Sequence, residues 1–166
     1  LQWYAKAGWY LSNEVRYYGQ DGENPHGFFI EPMDSHGGWI ASVVDLARLF
    51  STLDGFAGRP DQLNPESFQE MIRPPDIHQT AESPVWYGLG FLVRQHAAGQ
   101  NLWHNGSLPG THALVVRAFD DTLWIVLFNS RPKDWSKMAG DVDNALRRAR
   151  DTVGKWPTHN RFNKFP

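Results

Sequence analysis

A chain of 166 residues with 41% hydrophobic side chains carries enough apolar surface to bury a core of single-domain size, and one domain over residues 1–166 is the default expectation. A formal net charge of −2, a pI near 6.4 and the lack of long charge runs leave no basic footprint for nucleic acid. The absence of cysteine excludes disulfides and thiolate metal sites, and no window approaches the roughly 20 apolar residues of a membrane helix.

The chain opens on Leu1-Gln2-Trp3-Tyr4, without methionine and without the charged and apolar regions of a leader, so we expect sequence to have been cut away ahead of it. Glu14-Val15-Arg16-Tyr17-Tyr18 alternates as a short strand would, and Gln20 to Pro25 reads as its turn. A loop through His36 follows. Ser42 with Asp45 three residues on resembles a capping box, and Val43, Leu46, Ala47, Leu49, Phe50 and Leu53 form a helical apolar face that should end by Gly55. Asn64-Pro65-Glu66 supplies an N-cap, an N1 proline and an early acidic residue in order. They open a second helix with Phe68, Met71 and Ile72 inward and Pro74-Pro75 as its stop.

Tyr87-Gly88-Leu89-Gly90-Phe91-Leu92-Val93 reads as strand, and from there the pattern is an antiparallel meander: about 88–95, 101–104, 112–119 and 122–129. Leu123-Trp124-Ile125-Val126-Leu127-Phe128 is apolar without alternation, which implies a central strand covered on both faces. Trp135, Met138, Val142, Ala145, Leu146, Ala149 and Val153 recur at helical spacing, predicting a last helix that lays this stripe on the sheet. Arg147, Arg148 and Arg150 then face solvent, and Gly154 and Pro157 end the helix. The fold class expected is α/β of the α+β type, an antiparallel meander covered by a C-terminal helix.

Within the meander, Trp103-His104-Asn105-Gly106-Ser107-Leu108-Pro109-Gly110 joins an apolar strand end, an H-x-G triplet and a Gly/Pro loop. On a strand the triplet puts His104 and Asn105 on opposite faces, and Gly106 lets a substrate or another chain approach the backbone. Read on periodicity alone, it is equally a hairpin with a surface histidine.

Three pieces come in the order and rough spacing of one family: His36-Gly37-Gly38 leading into the Ser42–Phe50 helix, Tyr87-Gly88-Leu89-Gly90-Phe91, and His104 to Gly110. Over about Glu14 to Arg131 the chain resembles the C-terminal half of the serine β-lactamase-like and penicillin-binding family. That family includes class C β-lactamases, D-alanyl-D-alanine carboxypeptidases and related esterases, and His104-Asn105-Gly106 is similar to its K-T-G or H-x-G strand motif. The family's nucleophile motif, S-x-x-K, and its Y-x-N loop lie upstream of the glycine-rich helix, where this sequence has neither. Ser130-Arg131-Pro132-Lys133 fits S-x-x-K only as letters, with a proline where a helix should start, and Tyr10-Leu11-Ser12-Asn13 has one residue too many for Y-x-N. The chain then looks like a half-site, inactive alone, with the nucleophile in sequence outside it.

The resemblance implies that a serine is acylated by a peptide, ester or β-lactam carbonyl and then released to water or another acceptor. By that mapping His104 takes the place of the family's lysine or histidine, and Asn105 points away or supports the loop. Gly106 leaves room for the substrate backbone, and the Ser107 N–H is one oxyanion donor. Trp103 and His36 flank the substrate. A histidine gives up the permanent cation that a lysine offers a carboxylate, which favours peptidase or esterase chemistry over β-lactamase chemistry. The same resemblance implies a small-molecule or peptide substrate, no cofactor, and a periplasmic or extracellular location. A zinc site from Asp34, His36, His104 and His112 lacks any H-x-x-x-H or H-E-x-x-H spacing, so no metal is expected. His26, His78, His96 and His159 lie in loop-like sequence and are assigned no function.

Two readings of other classes stand beside this one. Eight tryptophans suit a carbohydrate or cell-wall-binding module. Trp39, Trp124 and Trp135, however, fall on faces predicted to be buried, leaving Trp3, Trp9, Trp86, Trp103 and Trp156 to be exposed. The other is a catalytically dead interaction domain. In either half-site case an apolar surface left by the absent lobe would favour a homodimer.

Overall fold

Ser42 and Asp45 close a reciprocal cap: the Ser42 hydroxyl accepts from the Asp45 N–H at 3.1 Å, and the Asp45 carboxylate accepts the Ser42 N–H at 3.1 Å and its hydroxyl at 2.8 Å. This starts helix α1, Val43–Phe50. Helix α2, Pro65–Ile72, begins as the sequence predicts, with Asn64 Oδ1 accepting the Ser67 N–H and the proline at N1. The computed structural model describes residues 2–3, 12–33, 35–57, 59–76 and 83–165, with side chains from residue 12 onward.

Five strands form one antiparallel sheet in sequence order: β3 Val85–Tyr87, β4 Leu92–His96, β5 Gly99–Leu108, β6 Thr111–Arg117 and β7 Leu123–Phe128. A separate two-stranded piece pairs β1, Gln2–Trp3, with β2, Trp39–Ile40. The C-terminal helix α3 covers Met138–Asp151, so the expected α+β class holds. Among the described residues, no helix is long and apolar enough to cross a membrane.

The chain divides into two compact units, residues 1–45, 105–114 and 126–166 in the first and 46–104 with 115–125 in the second. In the second unit Tyr87 pairs with Leu92 and Leu92 with Trp103, so β4 lies between β3 and β5. Phe68 and Ile72 of α2 bury against Phe91, Val93 and Leu102, with Phe50, Leu63, Met71 and Trp86 packed around them. The Trp86 indole donates to the Ile72 carbonyl at 2.8 Å, which satisfies both the indole N–H and an orphan acceptor at the end of α2. Gly55, at φ 72°, ends the turn after α1, and a Cβ there would meet the Phe68 ring at 2.7 Å. Only glycine offers both that backbone conformation and that space.

In the first unit Tyr18 bridges Ser130 in parallel, with its N–H on the Asn129 carbonyl at 2.9 Å. The hairpin between β5 and β6 turns on Gly110, at φ 73°, where a Cβ would stand 2.8 Å from Pro25 and 3.1 Å from Tyr17. No side chain of α3 is fully buried: Met138, Val142 and Leu146 of its stripe are half-covered, and Ala145 and Ala149 are exposed.

Several expectations need correction. Residues 88–91 form a turn between β3 and β4, because Gly90 at φ 89° breaks the extended run. Glu14–Tyr17 is not a strand, and Tyr18 alone makes a bridge. The strand expected to stop at His104 continues to Leu108, so the triplet and Ser107 lie within β5 and the loop shrinks to the turn at Pro109-Gly110. β7 is an end strand of the sheet with Leu127 and Phe128 exposed, not a central one; an unbroken apolar run says what a strand is made of, not which neighbours it has. Trp39 and Trp135, expected inside, are 49% and 41% exposed. Arg147 and Arg150 are not simple solvated charges, since Arg147 pairs with Asp143 at 2.8 Å and Arg150 with Asp151 at 2.8 Å, both arginines partly covered.

Candidate functional site

β5 brings the H-x-G triplet into a regular strand whose exposure alternates: His104 and Gly106 are exposed, Asn105 and Ser107 half-buried. This is the period-two arrangement expected for the triplet. The His104 imidazole is held from β3, with Tyr87 Oη 2.8 Å from Nε2 and the two rings edge-on at 6.0 Å. Nδ1 of His104 has no partner among the described residues. If Nε2 carries the proton and donates to the phenol oxygen, Nδ1 keeps a free lone pair; if the phenol donates, Nδ1 carries the proton and is a donor. Either way the hydrogen bond fixes the ring plane and leaves one nitrogen for a reacting group. Trp103, one residue before, is half-buried, with the Arg94 guanidinium 5.2 Å from its ring centroid.

Ser107 belongs to a different set of contacts. Its hydroxyl accepts from Arg131 Nη1 at 3.0 Å, and Arg131 is also ion-paired with Glu23. The hydrogen bond from Arg131 holds the Glu23 carboxyl below its ordinary value, against the opposing effect of partial burial. The Arg131 guanidinium lies 5.5 Å from the ring of Trp135. Gly106 is unobstructed: a Cβ there would find only Ala113 Cβ, at 4.0 Å.

The other candidates are placed as follows. His36 is exposed in a turn, with its main-chain N–H on the Met33 carbonyl at 3.2 Å. Ser130 accepts from Gln20 and donates to the Tyr18 carbonyl at 3.1 Å, while Lys133 is exposed and 3.7 Å from Asp21. The segment is extended, so Ser130 and Lys133 do not form the serine–lysine turn of a helix. Asp34, Tyr10 and His78 lie outside the described residues. Among the described residues, no three of His, Asp and Glu gather as a group able to hold a metal.

Sequence reasoning did not find Tyr87, Arg131 or Glu23 as site partners. Tyr87 pairs with His104 only through sheet registry, and Glu23 lies 108 residues from Arg131, so no local spacing carries either contact. His112 of β6, weighed in the sequence only as a possible zinc ligand, is wholly buried, and neither ring nitrogen has a hydrogen-bond partner among the described residues. Burial pushes its pKa down, and the nearby positive charge of Arg131 adds to the effect. The signal was its place in His112-Ala113-Leu114-Val115-Val116, an otherwise apolar strand. No family model, curated protein or solved structure matches the chain.

Proposed function

We propose that this chain is the C-terminal part of a serine hydrolase of the β-lactamase-like family, working by acyl-enzyme chemistry on a peptide, ester or β-lactam carbonyl. Segment His104–Ser107 of β5 forms its share of the site. The observation that carries this reading is the exposed His104 imidazole fixed by Tyr87 at 2.8 Å on a strand whose next outward position, Gly106, is open. A ring held in one plane with one nitrogen free is suited to moving a proton at the nucleophile or the leaving group. The uncovered glycine lets a substrate backbone lie along the strand. In this arrangement the Ser107 N–H is one oxyanion donor, and Arg131, by holding the Ser107 hydroxyl, is a positioning residue. The nucleophile lies in sequence outside the chain.

The test is His104→Ala in the full-length protein, assayed with a chromogenic ester. A proton-transfer role lowers the acylation rate by about ten-fold or more with the circular dichroism spectrum unchanged; an unchanged rate in a folded variant overturns the assignment. A second reading, binding of glycans by surface aromatics, is favoured by the exposure of Trp39, Trp135 and Trp156. Saturable quenching of tryptophan fluorescence by soluble cell-wall glycan, unaffected by His104→Ala, supports it. No quenching removes it.

A further inference from the structure

A cleft of about 780 Å³ opens in the second unit, between the turn after α1, the start of α2 and the ends of β4, β5 and β6. That is within the size range of small-molecule sites. Arg117 and Asp61 both line it. The Arg117 guanidinium lies over Phe56, 3.7 Å from the ring centroid, with Nε on the Asp54 carbonyl at 2.8 Å and Nη1 on the Gln100 carbonyl at 3.0 Å. These two main-chain bonds fix its plane. They leave its remaining N–H groups without an acceptor, and no carboxylate among the described residues comes within ion-pair distance. Burial pulls the Arg117 pKa down while Asp54, Asp121 and Asp61 oppose it, as expected for a charge taken partly out of water without a direct counterion.

Asp61 is the complement. It receives no hydrogen bond or ion pair among the described residues, and its Oδ1 is shielded from solvent without a donor. The other carboxylate oxygen is the one left to meet a ligand. Two opposite charges thus line one cleft, each without an ion-pair partner among the described residues, although pairing them with each other would have relieved both. Gln69 and Gln100 line the same walls, whereas the Gln95 amide nitrogen donates to the His96 carbonyl at 2.9 Å and the Gly99 carbonyl at 3.4 Å.

We infer that this cleft binds a small zwitterion of amino-acid or short-peptide type, its carboxylate received by the free N–H groups of Arg117 and its ammonium by Asp61, with the amides of Gln69 and Gln100 meeting the peptide groups between. The site shares no residue with the β5 segment assigned above and stands whether or not that assignment holds. Arginine suits the carboxylate end because its planar fork matches two oxygens.

The test uses the ¹⁵N-labelled chain titrated with glycine, diglycine and triglycine, a series that lengthens the distance between ammonium and carboxylate. Expected is saturable shifting of the Gln69 and Gln100 side-chain amides by at least one member. N-acetylation or C-amidation of that member should weaken binding by about ten-fold or more, the value of one charge-assisted hydrogen bond. Asp61→Asn should erase the difference between the free and acetylated amine while unfolding no more readily than the parent, since it removes an unpaired charge. Arg117 supports two loops, so its share is read from the amidated ligand rather than from a substitution. Absence of saturable shifts up to about 50 mM, equal binding of the blocked forms, or retained discrimination in Asp61→Asn overturns the proposal.

Discussion

Replacing His112 with leucine, apolar and of similar volume, should stabilise the protein and flatten its response to acid. The ring is wholly buried and neither nitrogen has a partner among the described residues. An unsatisfied buried polar group costs about 1–3 kcal/mol relative to an apolar one, and the shape change returns less than about 1.5 kcal/mol of that. The net change expected near neutral pH therefore lies between about zero and a gain of about 3 kcal/mol. The pH dependence follows from the lowered pKa of His112 in the folded protein. Between that value and the ordinary one near 6.5, the unfolded chain binds a proton that the folded protein does not, so stability falls as pH drops below about 6.5. Going from about pH 7.5 to 5.5, a single such histidine removes at most about 1.4 kcal/mol. The Glu23 carboxyl, held low by Arg131, acts in the opposite part of the scale: its stabilisation is present above the ordinary carboxylate value and is lost only as pH falls through the depressed one. Urea unfolding of wild type and His112→Leu at the two pH values isolates the histidine, because every other group is common to both. The variant's advantage should widen toward pH 5.5. A parallel pH response in the two proteins, or a variant destabilised at both pH values, refutes the reasoning.

Three further outcomes follow from the packing and the caps, each read by urea unfolding. Leu102→Ala, at a side chain 1% exposed in the second unit's core, should cost about 2–5 kcal/mol through lost transfer energy and the cavity left behind. Gly110→Ala should cost at least about 1 kcal/mol for the left-handed backbone alone, with the contacts at 2.8 Å to Pro25 and 3.1 Å to Tyr17 adding strain. Ser42→Ala removes both hydroxyl contacts of the α1 cap and should cost about 0.5–2 kcal/mol, recovered in part by Ser42→Asn.

What was legible in the sequence was what depends on near neighbours. The cap at Ser42 and Asp45, the proline start and inward face of α2, and the succession of four strands after Tyr87 all rest on residues within a few positions of each other. The failures share a cause as well. β7 and the buried expectation for Trp39 and Trp135 required knowledge of what covers a face, and hydrophobicity alone does not contain it. Trp135 stands beside Arg131 at the surface, and the sequence offered that arginine only as the second letter of a false S-x-x-K. In the site, the triplet His104-Asn105-Gly106 was found by its own letters, and its alternating exposure on β5 is as expected. Its hydrogen-bond partner Tyr87 was not, because the two meet only through the pairing of β3, β4 and β5. The cleft around Arg117 was equally hidden: an arginine ending the run Ala113-Leu114-Val115-Val116 was the one local sign, and its carbonyl partners at Asp54 and Gln100 are far away in sequence.

The most direct measurement is intact-mass analysis and peptide mapping of the full-length protein after treatment with an activated serine-reactive phosphonate and, separately, a β-lactam. A stoichiometric phosphonate adduct on a serine preceding this segment, absent when the segment is treated alone, is the expected result for a strand wall that serves a nucleophile elsewhere. An adduct on Ser107 or Ser130, or no adduct on the full-length protein with either reagent, would contradict the serine hydrolase proposed here.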